Sequence, residues 1–203
     1  MLAPARTLDG GFPDPVFDSQ AIFRGVMNAM ARPGRIATVP ARAAPPEPLA
    51  PLAGAVACML LDADTSVWLD PRLAASDAVR VWLGFHTGAR LVAAPVDATF
   101  ALVSAPASMP PLDRFAQGTS DYPDRSATLI LQVESLEGGM PLVFRGPGID
   151  GEAVIAPRGL PQDFAGQWAG NMARFPRGVD LVLTAGDTIA CLPRSARLVS
   201  REG

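Results

Sequence analysis

The chain has 203 residues, 49% of them hydrophobic and only 18% charged, with a formal net charge of −3. That length supports one domain with a core large enough to fold without disulfides or metal, and the composition excludes a disordered or tail-like polyanion. An acidic balance without a basic stripe argues against nucleic acid as a partner, and because all 17 basic residues are arginines, lysine Schiff bases, lysine general bases and a Walker lysine are excluded.

The opening "MLAPARTLDGGFPDP" has no signal-peptide core, so residues 1–15 are expected to form a loose arm. Asp18 and Ser19 are predicted to cap a helix over "QAIFRGVMNAMA", with Ile22, Val26, Ala29 and Met30 on one face and Pro33-Gly34 as its stop. "RIATVP" reads as a strand and "ARAAPPEP" as a surface connector. Leu49 to Leu61 is an almost wholly apolar, buried helix, broken by a proline and too short for a bilayer, which needs about 18 to 20 residues. "SVWL" is a short strand. A helix from Ala75 to Phe85 follows, with His86 in its last turn and Gly88 at its C-terminal stop.

"RLV" and "TFALV" are strand candidates, and "PPLDRFAQG" a helical turn. "ATLILQV" and "PLVFR" are the strongest strands, and the glycines of "ESLEGGM" between them predict a hairpin. "PQDFAGQWAGNMARF" is a weaker helix, a final hairpin closes the chain, and residues 199–203 form a tail. Helices interleaved with strands, then a strand-rich second half, predict one α/β domain spanning residues 1–203 with a mixed sheet.

Most motif-like stretches have plainer readings. "GPGIDG" fits a dinucleotide fingerprint in spelling, yet Pro147 removes an N–H and Pro157 stops any helix, so it is a turn. "DADTS" lacks the central glycine and closing glutamate of a calcium loop and reads as a helix-to-strand turn. Cys58 and Cys191 form no motif; reduced thiols in a cytoplasmic protein are expected, with a long-range disulfide as the other option. His86 is the only histidine, which leaves no histidine-pair metal site. At a helix C-terminus its imidazole is expected to serve structure before acid–base chemistry.

The stretch "RFPRGVDLVLTAGDTIACLPRS" is more pointed. Gly186-Asp187 suits a type II′ turn, which sets Leu181 opposite Leu192 and Val179 opposite Arg194. Val179, Leu181, Leu183, Ala190 and Leu192 then share one apolar face, with Arg177 and Arg194 diagonal at its end, to be satisfied by the protein's own carboxylates or by solvent, or to meet one external anion or a partner's carboxylate. A one-residue slip would part them.

"FDSQAIFRGVMNAMARPG", "WLGFHTGARLV", "GTSDYPDRSATLILQV", "FRGPGI", "FPRGVDLVLT" and "CLPRS" occur in an order and spacing that resemble the PhnH family, the H subunits of the bacterial carbon–phosphorus lyase system. The resemblance runs from about Phe17 to Arg194. It implies a three-layer α/β/α sandwich around a mixed sheet of about seven strands, similar to the pyridoxal-phosphate-dependent transferase fold but without the cofactor site. It also implies no cofactor, a homodimer when alone, and a place beside the G, I and J subunits; no metal and no membrane are expected from the residues themselves. With G, I and L subunits, the family supports formation of α-D-ribose 1-methylphosphonate 5-triphosphate from ATP and methylphosphonate. J later cleaves the carbon–phosphorus bond with an iron–sulfur cluster and S-adenosylmethionine. No catalytic residue is implied for H. The rival expectation is a free-standing enzyme or sensor that binds a phosphate or nucleotide through Arg177 and Arg194, with His86 nearby.

Overall fold

The computed structural model describes residues 8–199; residues 1–7 and 200–203, which include the ends of the predicted arm and tail, lie outside the described residues. Helix α1 (Pro15–Ala31) starts ahead of the predicted cap, because proline at the first helical position sacrifices no hydrogen bond. Asp14 is the cap: its Oδ1 accepts from the Phe17 N–H at 3.2 Å. Asp18 lies inside the first turn, accepts from the Asp14 N–H at 3.0 Å and is buried. The face predicted from spacing is the inward one, with Ile22, Val26 and Ala29 buried.

β1 (Ala37–Thr38), α2 (Pro51–Leu60), β2 (Ser66–Leu69), the short α3 (Pro71–Ala74), α4 (Asp77–Thr87), β3 (Arg90–Leu91) and β4 (Phe100–Val103) follow in chain order. The second half supplies β5 (Thr128–Gln132), β6 (Leu142–Arg145), β7 (Ala153–Ile155), α5 (Phe164–Met172), β8 (Asp180–Ala185), β9 (Thr188–Leu192) and β10 (Arg197–Leu198). α4 is capped by Ser76, whose hydroxyl accepts from the Val79 N–H, and stops at Gly88 with φ +69°. "DADTS" is the expected turn, closed by Asp62 and Thr65.

The architecture is α/β with a mixed seven-stranded sheet in the order β1-β9-β8-β5-β4-β2-β3. The pairs from β3 to β8 are parallel, while β8–β9 and β9–β1 are antiparallel. A second, three-stranded antiparallel sheet has the order β10-β6-β7. One core joins α1, α2 and α4 to one face of the large sheet, where Ile22, Val56 and Trp82 meet Ile130, Val182, Ile189 and Cys191. The second core lies on the opposite face, where Leu129, Leu131, Leu181 and Leu183 meet Phe144, Phe164 and Trp168 of the small sheet and α5. The layers are therefore unequal: the second outer layer combines a helix with a small sheet.

The predicted hairpin between "ATLILQV" and "PLVFR" does not form, since β5 sits between β4 and β8 and β6 belongs to the small sheet. A strand buried on both faces needs sheet neighbours along its whole length. The glycine loop after β5 pairs instead with the segment after β7: the Arg158 N–H donates to the Ser135 carbonyl at 2.9 Å, and the Gly139 N–H to the Ala156 carbonyl at 2.8 Å. "GPGIDG" is the β6–β7 connection, closed by the Ile149 N–H donating to the Gly146 carbonyl, with no helix after it.

The arm expected to be loose is tied down from Leu8 onward. The Trp82 Nε1–H donates to the Asp9 carbonyl at 2.9 Å, and His86 Nε2 lies 3.0 Å from the Leu8 carbonyl. Gly11 passes so close that a Cβ there would meet the imidazole at 2.5 Å.

Candidate functional site

The final hairpin has the predicted register, with Leu181 opposite Leu192 and Leu183 opposite Ala190. Gly186, at φ +53°, supplies the left-handed position that its tight turn requires. The pattern stops one residue earlier than alternation implied. Gly178 adopts φ +116°, and the fully buried Asn171 takes both main-chain groups of Val179. Its Oδ1 accepts from the Val179 N–H at 2.8 Å, while its Nδ2 donates to the Val179 carbonyl at 3.0 Å. Val179 therefore cannot extend the ladder, and Arg177 lies on the exposed turn that precedes β8. The expected diagonal of Arg177 and Arg194 across a continuous strand pair does not form.

Arg194 is turned to internal partners. Its Nε donates to Asp180 Oδ1 at 3.1 Å, its Nη2 to Asp180 Oδ2, and its Nη1 to the Pro123 carbonyl at 2.6 Å. Asp180 Oδ1 also accepts the Arg194 N–H at 2.7 Å. This fork fixes the end of β9 to the start of β8 and to the "DYPDRS" loop. His86 packs against Trp82, with ring centroids 4.6 Å apart, and contacts the N-terminal arm; no carboxylate is bonded to it among the described residues.

A different group of residues converges. The end of β6 (Arg145, Gly146, Pro147), the β9–β10 connection (Arg194, Ser195), Arg197 on β10, and Met172 and Phe175 after α5 surround an open cleft of about 430 Å³. Arg145 and Arg197 are direct cross-strand partners, so their side chains leave the small sheet on the same face. Arg145 is paired with Glu152, its Nη2 donating to Oε1 at 2.6 Å. Arg197 is exposed and has no carboxylate partner among the described residues.

Two buried side chains, Trp168 and Asn171, hold this frame. The Trp168 Nε1–H donates to the Ala196 carbonyl at 3.0 Å, and Asn171 fixes the other end of the turn that carries Phe175. Gly146, at φ +145°, is what lets β6 approach the connection, since a Cβ there would stand 2.9 Å from the Ser195 carbonyl oxygen. Arg145 had one sequence signal, an arginine closing an apolar strand before Gly-Pro-Gly. Arg197 had none, because its pairing with β6 spans a long stretch of chain.

Among the described residues no three histidine, cysteine, aspartate or glutamate side chains converge on a point that could hold a metal. Cys58 and Cys191 are free thiols. Burial pushes both up to about 12, with the Asp180 carboxylate adding to the effect at Cys191. Both stay protonated at neutral pH and are neither nucleophiles nor ready metal ligands. Among the described residues no helix is long and apolar enough to cross a membrane.

Comparison with known proteins places this geometry. The family model described as "Bacterial phosphonate metabolism protein (PhnH)" matches residues 10–199. The chain belongs to the PhnH family. A PhnH relative from Rhizobium meliloti (strain 1021), named "Alpha-D-ribose 1-methylphosphonate 5-triphosphate synthase subunit PhnH", is 50% identical over 198 residues, covering 98% of each chain. A second relative, "Putative C-P lyase subunit protein HtxG" from Stutzerimonas stutzeri, is 35% identical over 81 residues, 40% of this chain and 42% of its own. The PhnH match thus takes in both sheets, the hairpin and the whole arginine cleft.

Proposed function

We propose that this chain is a cytoplasmic subunit of an α-D-ribose 1-methylphosphonate 5-triphosphate synthase. In this reading it works within the carbon–phosphorus lyase core complex during alkylphosphonate catabolism and supports chemistry carried out by its partners. The observation that carries the reading is the 50% identity over 98% of both chains with a protein of that name. The partners would be the G, I and J subunits, with a homodimer when the chain is alone. The finer fold kinship, to the pyridoxal-phosphate-dependent transferases without their cofactor, belongs to the same reading. A sequence with no lysine has no residue for the internal Schiff base of that cofactor.

The side chains fit an accessory role. His86 is engaged with the N-terminal arm, both thiols are protonated, and Arg194 is held by Asp180. α1 meanwhile presents Val16, Phe17, Phe23 and Met27 to solvent, each more than half exposed, which suits a subunit that is covered in an assembly. The rival reading, a free-standing phosphate-binding enzyme or sensor built on Arg177 and Arg194, would need a guanidinium that Asp180 and Pro123 already occupy.

The test is reconstitution. ATP and methylphosphonate are incubated with the partner subunits, with and without this chain, and product is followed by phosphorus NMR. The expected result is no turnover by the chain alone, little by the partners alone, and full activity on mixing. Turnover by the isolated chain, or failure to co-purify with the partners, would overturn the reading.

A further inference from the structure

The geometry points to the Arg145–Arg197 cleft as a binding site for a phosphorylated small molecule that carries a flat apolar group, its phosphoryl oxygens on the two arginines and its flat part on Phe175 and Met172. This stands apart from the subunit reading, because it concerns what the chain holds by itself.

The charge arrangement is the first support. Like charges directly opposite each other on neighbouring strands are destabilising, and an anion bound between them relieves that cost. Arg145 and Arg197 occupy such a pair. Glu152 compensates Arg145, and Asp180 compensates Arg194, yet neither carboxylate lines the cleft. Among the described residues Arg197 has no carboxylate partner and lines the cavity, together with Arg145, whose Nη1 is not engaged by Glu152. Paired guanidiniums are the standard recognition unit for phosphoryl oxygens.

Shape is the second support. The cleft, at about 430 Å³, lies within the range of small-molecule sites, roughly 300–1,000 Å³. Solvated rim arginines need no such concavity. Beside the charged wall stands an apolar one, formed by Met172, Pro147 and Phe175, the last 62% exposed. An aromatic ring left open next to paired cations suits a ligand with a planar half and an anionic half. Met172 is also held in place, since its sulfur accepts from the Leu198 N–H at 3.1 Å. Ser195 also lines the cleft.

The experiment is calorimetry on the isolated full chain with ATP and, separately, with inorganic triphosphate. ATP is expected to bind one-to-one, tenfold or more weakly in Arg197→Gln and in Arg145→Gln, and unchanged in Arg177→Gln. Phe175→Ala should weaken ATP several-fold and leave triphosphate as it was. Without ligand, Arg197→Gln should melt no lower than wild type, because relieving repulsion costs nothing. Three results would overturn the proposal. They are no heat with either probe, binding that both arginine variants retain, and a lowered melting temperature in Arg197→Gln with ATP affinity intact.

Discussion

Arg194 donates to both oxygens of Asp180 and to the carbonyls of Pro123 and Pro176, the last at 3.5 Å, from one planar head. Its side chain is 16% exposed and that of Asp180 19%, so water screens the pair only in part. Removing one partner of a well-buried pair costs about 3–5 kcal/mol; with this residual exposure Arg194→Ala should cost about 2–4 kcal/mol. Arg194→Lys should recover little, because an ammonium cannot reproduce the fork. Arg177→Ala should lie within about 0.5 kcal/mol of wild type, as expected for an exposed side chain. Chemical denaturation of the three variants checks this; equal losses at Arg194 and Arg177 would refute it. The sequence marked both arginines alike, since spacing records residue types and not the carboxylate that neutralises one of them.

At the scale of elements, legibility followed the range of the contacts. α1, α4 and the β8–β9 hairpin are written in short stretches: an apolar stripe, a glycine stop, a Gly-first turn; the caps Asp14 and Ser76 were not read. The separation of β5 from β6 is not, because it depends on β4 and β8 claiming both edges of β5. The late start of β8, at Asp180 and not Val179, was hidden for a similar reason. Asn171, on α5, reaches across to serve as the hydrogen-bonding partner of Val179. A buried asparagine at the end of a weakly patterned helix gives no hint of that role. Asn171→Ala would leave a buried N–H and a buried carbonyl unpaired, each costing roughly 1–3 kcal/mol, so a total loss of about 2–5 kcal/mol is expected. Hydrogen exchange should show the Val179 amide losing protection first; unchanged protection there would contradict this account. The cleft follows the same rule: Arg194 was visible through the hairpin, while Arg145 and Arg197 meet only once the small sheet is assembled.

At the scale of the whole molecule, the central strands serve two cores at once. Along β5, Ile130 points to the α1–α2–α4 side and Leu129 and Leu131 to the other; along β8, Val182 opposes Leu181 and Leu183 in the same way. Neither hemisphere can soften without its neighbour losing the wall it leans on. The chain should therefore denature in a single calorimetric peak despite its two oil-filled compartments. Ile130→Ala and Leu181→Ala, which hollow opposite sides, should each remove about 2–5 kcal/mol and lower that same peak by roughly 5–15 °C. A trace that splits in two, with one variant moving only one part, would show that the sheet divides the molecule instead of uniting it.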